Sequence, residues 1–483
     1  MNYDQFLEML PEAALVAVLL VVFFADLICG RQKVKLLSNL TAILLLLPLA
    51  ASALAAPTWA FGGLYVTSDM VNVMKVILTA GTIIVAIMAR PWIEREGQST
   101  IGEFYELIIS TLLGMYIMIS SGNFLMFFLG LETASVPMAC LVALDKRKKQ
   151  SAEAAAKYIL TATFSSGVML YGISFVYAAT GTLYFGDCAR VLGVINPFTD
   201  QMFLPIAGLV LFFSGLGFKL SLVPFHLWTA DTYQGAPTPV TGYLSVVSKG
   251  AAALAAFIIL TKVFGHLVEQ WTLLLGIIIM LTITVGNLFA IRQSELKRFM
   301  AFSSISQAGY IMLAALGNSQ MGATALTYYV LVYVVANMAV FTVISVVEQN
   351  NGGRTDMTAY NGFYETNPRL SFLMTLALFS LAGIPPFAGM FSKFFVFMAA
   401  VGGHEANPFW VYLVVFVALI NTVVSLYYYL LIVKAMYIKK TVNPLPTFQS
   451  DSSTKLALAL CTAGIAAFGI VSCIYDWIAA SAM

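Results

Sequence analysis

Apolar residues run through this chain in blocks of about twenty, each long enough to cross the hydrocarbon core of a bilayer as an α-helix. The blocks fall near 11–29, 36–54, 70–90, 104–120, 124–143, 156–179, 203–230, 240–261, 271–290, 299–316, 323–346, 371–400, 409–434 and 454–477. The pattern predicts an all-α polytopic membrane protein with about fourteen transmembrane helices. The first block has no basic start, follows an acidic stretch (Asp4, Glu8, Glu12) and leads straight into further blocks. It therefore reads as a span and not as a cleaved signal peptide.

The seventh and twelfth blocks are unusually long and interrupted. The seventh carries Gly215, Gly217 and Pro224 in "GLGFKLSLVPFHLWTADTY"; the twelfth carries Gly383, Pro385, Pro386 and Gly389 in "LAGIPPFAGMFSKFF". Proline removes a backbone donor and clashes with the preceding turn, so both helices are expected to break. Broken helices at membrane depth usually line a polar cavity. The two blocks are an odd number of spans apart and so cross in opposite directions, the arrangement of an inverted repeat around a transport site. The expected organisation is helices one to three in residues 1–100 and a first repeat, helices four to eight, in 101–265. A second, inverted repeat, helices nine to thirteen, takes 266–436, and helix fourteen takes 437–483.

Charge sharpens this picture because there is so little of it. Only 10% of the residues are charged and 60% are hydrophobic, against about a quarter charged in soluble domains. Arg31, Lys33 and Lys35 follow the first helix, Arg90 and Arg95 the third, and Lys146, Arg147, Lys148, Lys149 and Lys157 the fifth. Arg292, Lys297 and Arg298 follow the ninth, Arg354 and Arg369 the eleventh, and Lys434, Lys439, Lys440 and Lys455 the thirteenth. The opposite side receives Lys75, Arg190 and Lys262. The excess of basic residues on one side predicts that side to be cytoplasmic, with both termini on the outer side.

Lys219, Lys249 and Lys393 belong to neither side. They fall inside spans, as does Glu132 in "FFLGLETASVPM". An ionisable group near the bilayer centre costs about 2.5–3.5 kcal/mol on insertion scales and usually faces a bundle interior or a water path. One glutamate cannot pair three lysines, so at least two of them are solvated, neutral or bonded to dipoles. A lysine pulled one way by burial and the other by a carboxylate can exchange a proton near neutral pH. A file of such lysines joined by water suits proton translocation.

His226 stands seven residues beyond Lys219, nearly two turns if the helix continues through Pro224. It is a candidate relay group, or else a hydrogen-bonded bridge between helices. Asp231, near the cytoplasmic end, is a candidate proton entrance or a capping residue. Ser214, Ser221, Ser245 and Ser248 flank the first two lysines and either hold water or bond their own helix. Ser303, Ser304, Ser306 and Gln307 in "FSSISQAGY" are more polar than packing requires and would wet a path from the eighth helix to the twelfth. His266 and His404 read as solvated loop residues. The basic stretch "LDKRKKQ" reads as a topology signal, with attraction to lipid headgroups as a second role. The five cysteines include no CxxC pair, and neither metal, haem nor nucleotide-binding spacing is present.

Several strings together resemble the antiporter-like proton-pumping subunits of respiratory complex I, the proton-translocating NADH:quinone oxidoreductase. They are "FKLSLVPFHLWTADTYQGAPTPVTGYLSVVSK" (218–249), "GLETASVPMACL", "LKRFMAFSSISQAGY" and "LAGIPPFAGMFSKF", which occur in the family's order and span nearly the whole chain. The wording is most similar to the N-type group. The M-type typically has glutamate where Lys393 stands, and the L-type continues into a long lateral helix. The resemblance implies a Glu132–Lys219 pair between the fifth and seventh helices, Lys249 as central proton carrier and Lys393 as exit-side carrier. It implies no cofactor on this chain, with NADH, FMN, iron–sulfur clusters and quinone in partner subunits. Partners would be the other antiporter-like and small membrane subunits, a peripheral redox arm and lipid, with no nucleic acid, in a bacterial inner membrane. The chain departs from the family at Ala230, usually proline, and at Gln307, often histidine; glutamine holds water but cannot titrate. The rival reading is a subunit of a multi-subunit sodium/proton antiporter.

Overall fold

A computed structural model describes residues 4–29, 34–95, 100–195, 202–317, 320–403, 408–441 and 444–482. Arg31, Lys33 and His404 lie outside the described residues. Among the described residues, 13 helices are long and apolar enough to cross a membrane. The twelfth crossing is made by two shorter apolar helices, Pro368–Ala382 and Ala388–Gly402. The seventh is likewise split, into Phe203–Leu220 and Leu227–Gly235. The fourteenth is shorter than its apolar run suggests. It closes at Ile470, Val471 turns extended, and a separate short helix follows at Cys473–Ser481.

Helices dominate because a bilayer offers no water to satisfy backbone N–H and C=O groups, and a helix satisfies its own. The exception among the described residues is a small antiparallel hairpin, β1 (Thr58–Ala60) with β2 (Tyr65–Thr67), between the second and third spans. It lies at the end opposite the basic loops and joins Ser121 and the turn before the fifth span.

The spans differ sharply in how far they are enclosed. The tenth (Leu296–Leu316) is buried along its whole apolar length, and the eleventh (Gln320–Asn350) and eighth (Thr238–Lys262) nearly so. The first (Leu10–Ile28), sixth (Lys149–Thr180) and thirteenth (Pro408–Tyr437) leave most of theirs unburied, as lipid-facing helices do. Small residues let neighbouring spans approach closely. A Cβ on Gly172 of the sixth span would stand 2.4 Å from the backbone nitrogen of Phe212 on the seventh, too near for any side chain. The three enclosed helices carry Lys249 and the serines and glutamine of the tenth span, while Lys219 and Lys393 stand on the broken helices.

A buried lysine file along the central helices

The first half of the seventh span ends where glycine and proline predict. Ser221 turns left-handed (φ 60°), the Val223–Pro224 bond is cis, and the helix resumes at Leu227. The carbonyls freed at a helix end need partners. The Trp228 indole N–H fills one such place by donating to the Phe218 carbonyl at 3.1 Å, while the Val223 N–H donates to Thr282 Oγ1 at 3.0 Å. Lys219 sits in the last turn of this half-helix, where the negative end of the helix dipole favours a cation. Its Nζ donates to Ser135 Oγ at 2.9 Å and to Tyr158 Oη at 3.3 Å. Glu132, half-buried, is three residues before Ser135 on the same fifth span (Phe124–Val142) and acts on Lys219 through space. Among the described residues no ion pair joins the two, and the hydroxyls of Ser135 and Tyr158 are the hydrogen-bond partners of Lys219.

Lys249 is placed by a local widening of the eighth span. Leu244–Ser248 form a π-helical turn, and Lys249 is the first residue after it. Such turns inside α-helices recur at functional sites. The Lys249 ammonium donates to Ser304 Oγ at 2.8 Å and to the Ser304 carbonyl at 3.4 Å, and lies 5.5 Å from the centre of the Tyr233 ring. Lys393 is placed by the second break. The helix stops at Ala382, Gly383 turns left-handed (φ 87°), the Pro385–Pro386 bond is cis, and the helix restarts at Ala388. Lys393 Nζ donates to the Ala382 carbonyl at 3.0 Å and lies 5.0 Å from the Tyr310 ring centre. Gly383 and Gly389 are needed here. A Cβ on the first would press on the Lys393 side chain at 3.1 Å, and one on the second would overlap the Ser380 carbonyl. Lys219, Lys249 and Lys393 are all buried, and none forms an ion pair among the described residues.

The tenth span connects the last two lysines. Ser304 binds Lys249, and Ser303 shares a 2.5 Å hydrogen bond with Tyr429. Gln307 accepts from Tyr329 and donates to Tyr429 at 3.2 Å and to the Leu381 carbonyl at 3.3 Å. Gln307 and Lys393 line one small cavity. The flanking serines divide. Ser214 bonds its own helix, Ser245 accepts from Asn337 at 2.8 Å, and Ser221, Ser248 and Ser306 are buried without a partner.

Asp231 lies at the face carrying the basic loops, held by Lys157 and Arg298 at 2.7 Å each. It lines a cavity of about 170 Å³ together with Glu153, Gln234 and both cations. His226 stands in the break itself, so the helical spacing that would align it with Lys219 does not apply; its Nδ1 is buried without a partner. His266 is exposed.

One charged residue is not where its sequence neighbourhood suggests. Lys75, counted with the loops, is fully buried in the third span (Asp69–Arg95) and donates to Glu12 Oε1 at 2.7 Å. Tyr65 of the hairpin donates to Glu12 Oε2 at 2.8 Å and accepts from Lys75 at 3.1 Å. Both residues fall within predicted spans, at their second and sixth positions, and that shared depth was the signal available. Among the described residues no group of histidine, cysteine and carboxylates is arranged to hold a metal ion.

This geometry, of broken helices seven and twelve around a file of buried lysines, defines an antiporter-like membrane subunit. A family model for "NADH:quinone oxidoreductase/Mrp antiporter, TM" matches residues 121–425, and the chain belongs to that family. More particularly, it is 55% identical over 485 residues to NADH-quinone oxidoreductase subunit N of Phocaeicola vulgatus, covering 100% of both chains. It also resembles a chain in the structure of respiratory complex I from Thermus thermophilus with bound aureothin. There the TM-score is 0.79 at 29% identity, covering 96% of this chain and 98% of the other. A chain of the Mrp complex from Dietzia sp. superposes with TM-score 0.84 at 19% identity, over 100% and 97% of the two chains, a likeness of fold alone.

Proposed function

We propose that this chain is the N-type proton-translocating membrane subunit of a bacterial NADH:quinone oxidoreductase, driven by electron transfer from NADH to quinone in partner subunits. The observation that carries the reading is the file itself. Three buried lysines lie on the broken seventh, the eighth and the broken twelfth spans and are bonded to hydroxyls and carbonyls, and the polar face of the tenth span runs between the last two. A charge held by neutral dipoles can leave as a proton without stranding a counter-charge. Protons enter from the basic face beside Asp231 and His226, load Lys249 and pass to Lys393. Glu132 acts on Lys219 through space, and a change in that interaction alters the electrostatics of the file and drives release.

In this reading helices four to eight and nine to thirteen are inverted repeats, each with one broken helix. The excess of basic residues at one face supports cytoplasmic placement of that face, with both termini outside. NADH, FMN, iron–sulfur clusters and quinone are handled by the redox arm and neighbouring membrane subunits. The fold is shared with a chain of the Mrp complex, and a subunit of a sodium/proton antiporter is the alternative reading. Full-length identity to an N subunit favours the redox complex.

The test is Lys249→Ala in the intact complex, reconstituted in vesicles. Proton pumping should fall by about tenfold or more, in keeping with the loss of a positioned proton carrier, with the complex assembled at normal levels. Normal pumping would remove Lys249 from the path.

A further inference from the structure

Between Lys249 and Lys393 the polar groups are of two kinds. Gln307 is fixed. Its oxygen accepts from Tyr329 and its nitrogen donates to Tyr429 and to the Leu381 carbonyl. An amide nitrogen accepts no proton, and this one has its donors engaged. A proton leaving Lys249 therefore needs another way past the tenth span.

Tyr333, one turn beyond Tyr329 on the eleventh span, is the other kind. Its side chain is 3% exposed, and its hydroxyl is buried without a hydrogen-bond partner. It lies in reach of the Ser304 hydroxyl but not in ordinary hydrogen-bonding geometry with it. It also lines the cavity shared by Gln307, Ser380, Ser392 and Lys393. That cavity leaves about 10 Å³ to the centre of a water-sized sphere, close to what a single water needs. Buried hydroxyls nearly always find a partner. One left free between a lysine-bound serine and a one-water cavity is placed to form its bonds in turn.

We propose that Tyr333 is a further proton-transferring residue, which joins the Lys249 and Lys393 segments through one water in this cavity. The inference rests on the reading that both lysines carry protons. The Lys249 ammonium gives a proton to Ser304 Oγ, whose own proton passes to Tyr333 Oη. The tyrosine proton passes to the water, and a water proton passes to the neutral Lys393 amine. Each hydroxyl gains one proton and loses one, so the net change is one proton moved between lysines.

The experiment is Tyr333→Phe in the intact complex in vesicles, beside Lys249→Ala and Lys393→Ala. The ring stays and the hydroxyl goes. Pumping should drop by about fivefold or more, within the range a positioned proton donor supplies, and the remaining pumping should show a larger solvent deuterium isotope effect. Normal pumping by Tyr333→Phe with both lysine variants impaired would overturn the role of Tyr333 and leave the lysine relay standing. Normal pumping by all three would overturn both. A drop with an unchanged isotope effect would assign Tyr333 to packing and also overturn the proposal. If Tyr333→Phe does not assemble, 3-fluorotyrosine at position 333 keeps the shape and acidifies the hydroxyl; pumping equal to that of tyrosine would then count against it.

Discussion

Lys75 and Lys249 are both sealed from solvent, yet their surroundings are opposite. Lys75 is bound directly to the Glu12 carboxylate, with Tyr65 closing a triangle around the pair. Lys249 meets a serine hydroxyl, a carbonyl and the face of a tyrosine ring. The first arrangement fixes a charge. Removing either partner strands the other in a dry site, so the pair pins the first span, the hairpin and the third span together. The second arrangement tolerates the charge without anchoring it, because dipoles can serve an amine as well as an ammonium. Burial alone therefore does not tell the two lysines apart, and the partner within 3 Å does.

The comparison can be broken most forcefully at its fixed end. Glu12→Ala should cost about 3–5 kcal/mol, the penalty for an orphaned buried charge, and the recovery of assembled complex from membranes should collapse. Replacing both partners, with Glu12→Gln and Lys75→Met together, should restore most of that recovery and pump normally. Reduced pumping by the assembled double variant would show that Lys75 does more than pin helices.

The next test makes the mobile end resemble the fixed one. Ser304→Asp would set a carboxylate against Lys249 as Glu12 is set against Lys75. Opposite unit charges about 4 Å apart attract by about 4 kcal/mol at an effective dielectric of 20, enough to hold the ammonium in place. Complex content should persist while vesicle pumping falls by more than about tenfold; undiminished pumping would refute the contrast. The smallest effect belongs to Asp231, whose ion pairs with Lys157 and Arg298 are partly exposed. Asp231→Asn should cost about 1 kcal/mol or less, visible as a slight drop in thermal stability and a modest slowing of proton uptake.

Much of this could be read in the residues. Lys219, Lys249 and Lys393 are conspicuous because each interrupts an apolar run of span length, and both breaks are written in glycine and proline. Lys75 was hidden by its place near a helix start, where loop and span are hard to tell apart, and by a partner 63 residues away. That Lys219 bonds Ser135 and not Glu132 depends on how two helices cross, which no local pattern encodes. Tyr333 is one tyrosine among 22, and only the folded chain distinguishes it, by an unpartnered hydroxyl on a residue that lines the Lys393 cavity. The end of the last helix at Ile470 was masked by the apolar run that continues beyond it.

The π-helical turn at Leu244–Ser248 has a mechanical consequence for the residue that follows it. An α-helix covering the same ground with one residue fewer would arrive at position 249 turned by about 100°, since each residue advances the helix by that angle. The turn is thus an adjustable joint just ahead of Lys249. If the extra residue slid past position 249, the ammonium would turn away from Ser304 while the rest of the span stayed seated.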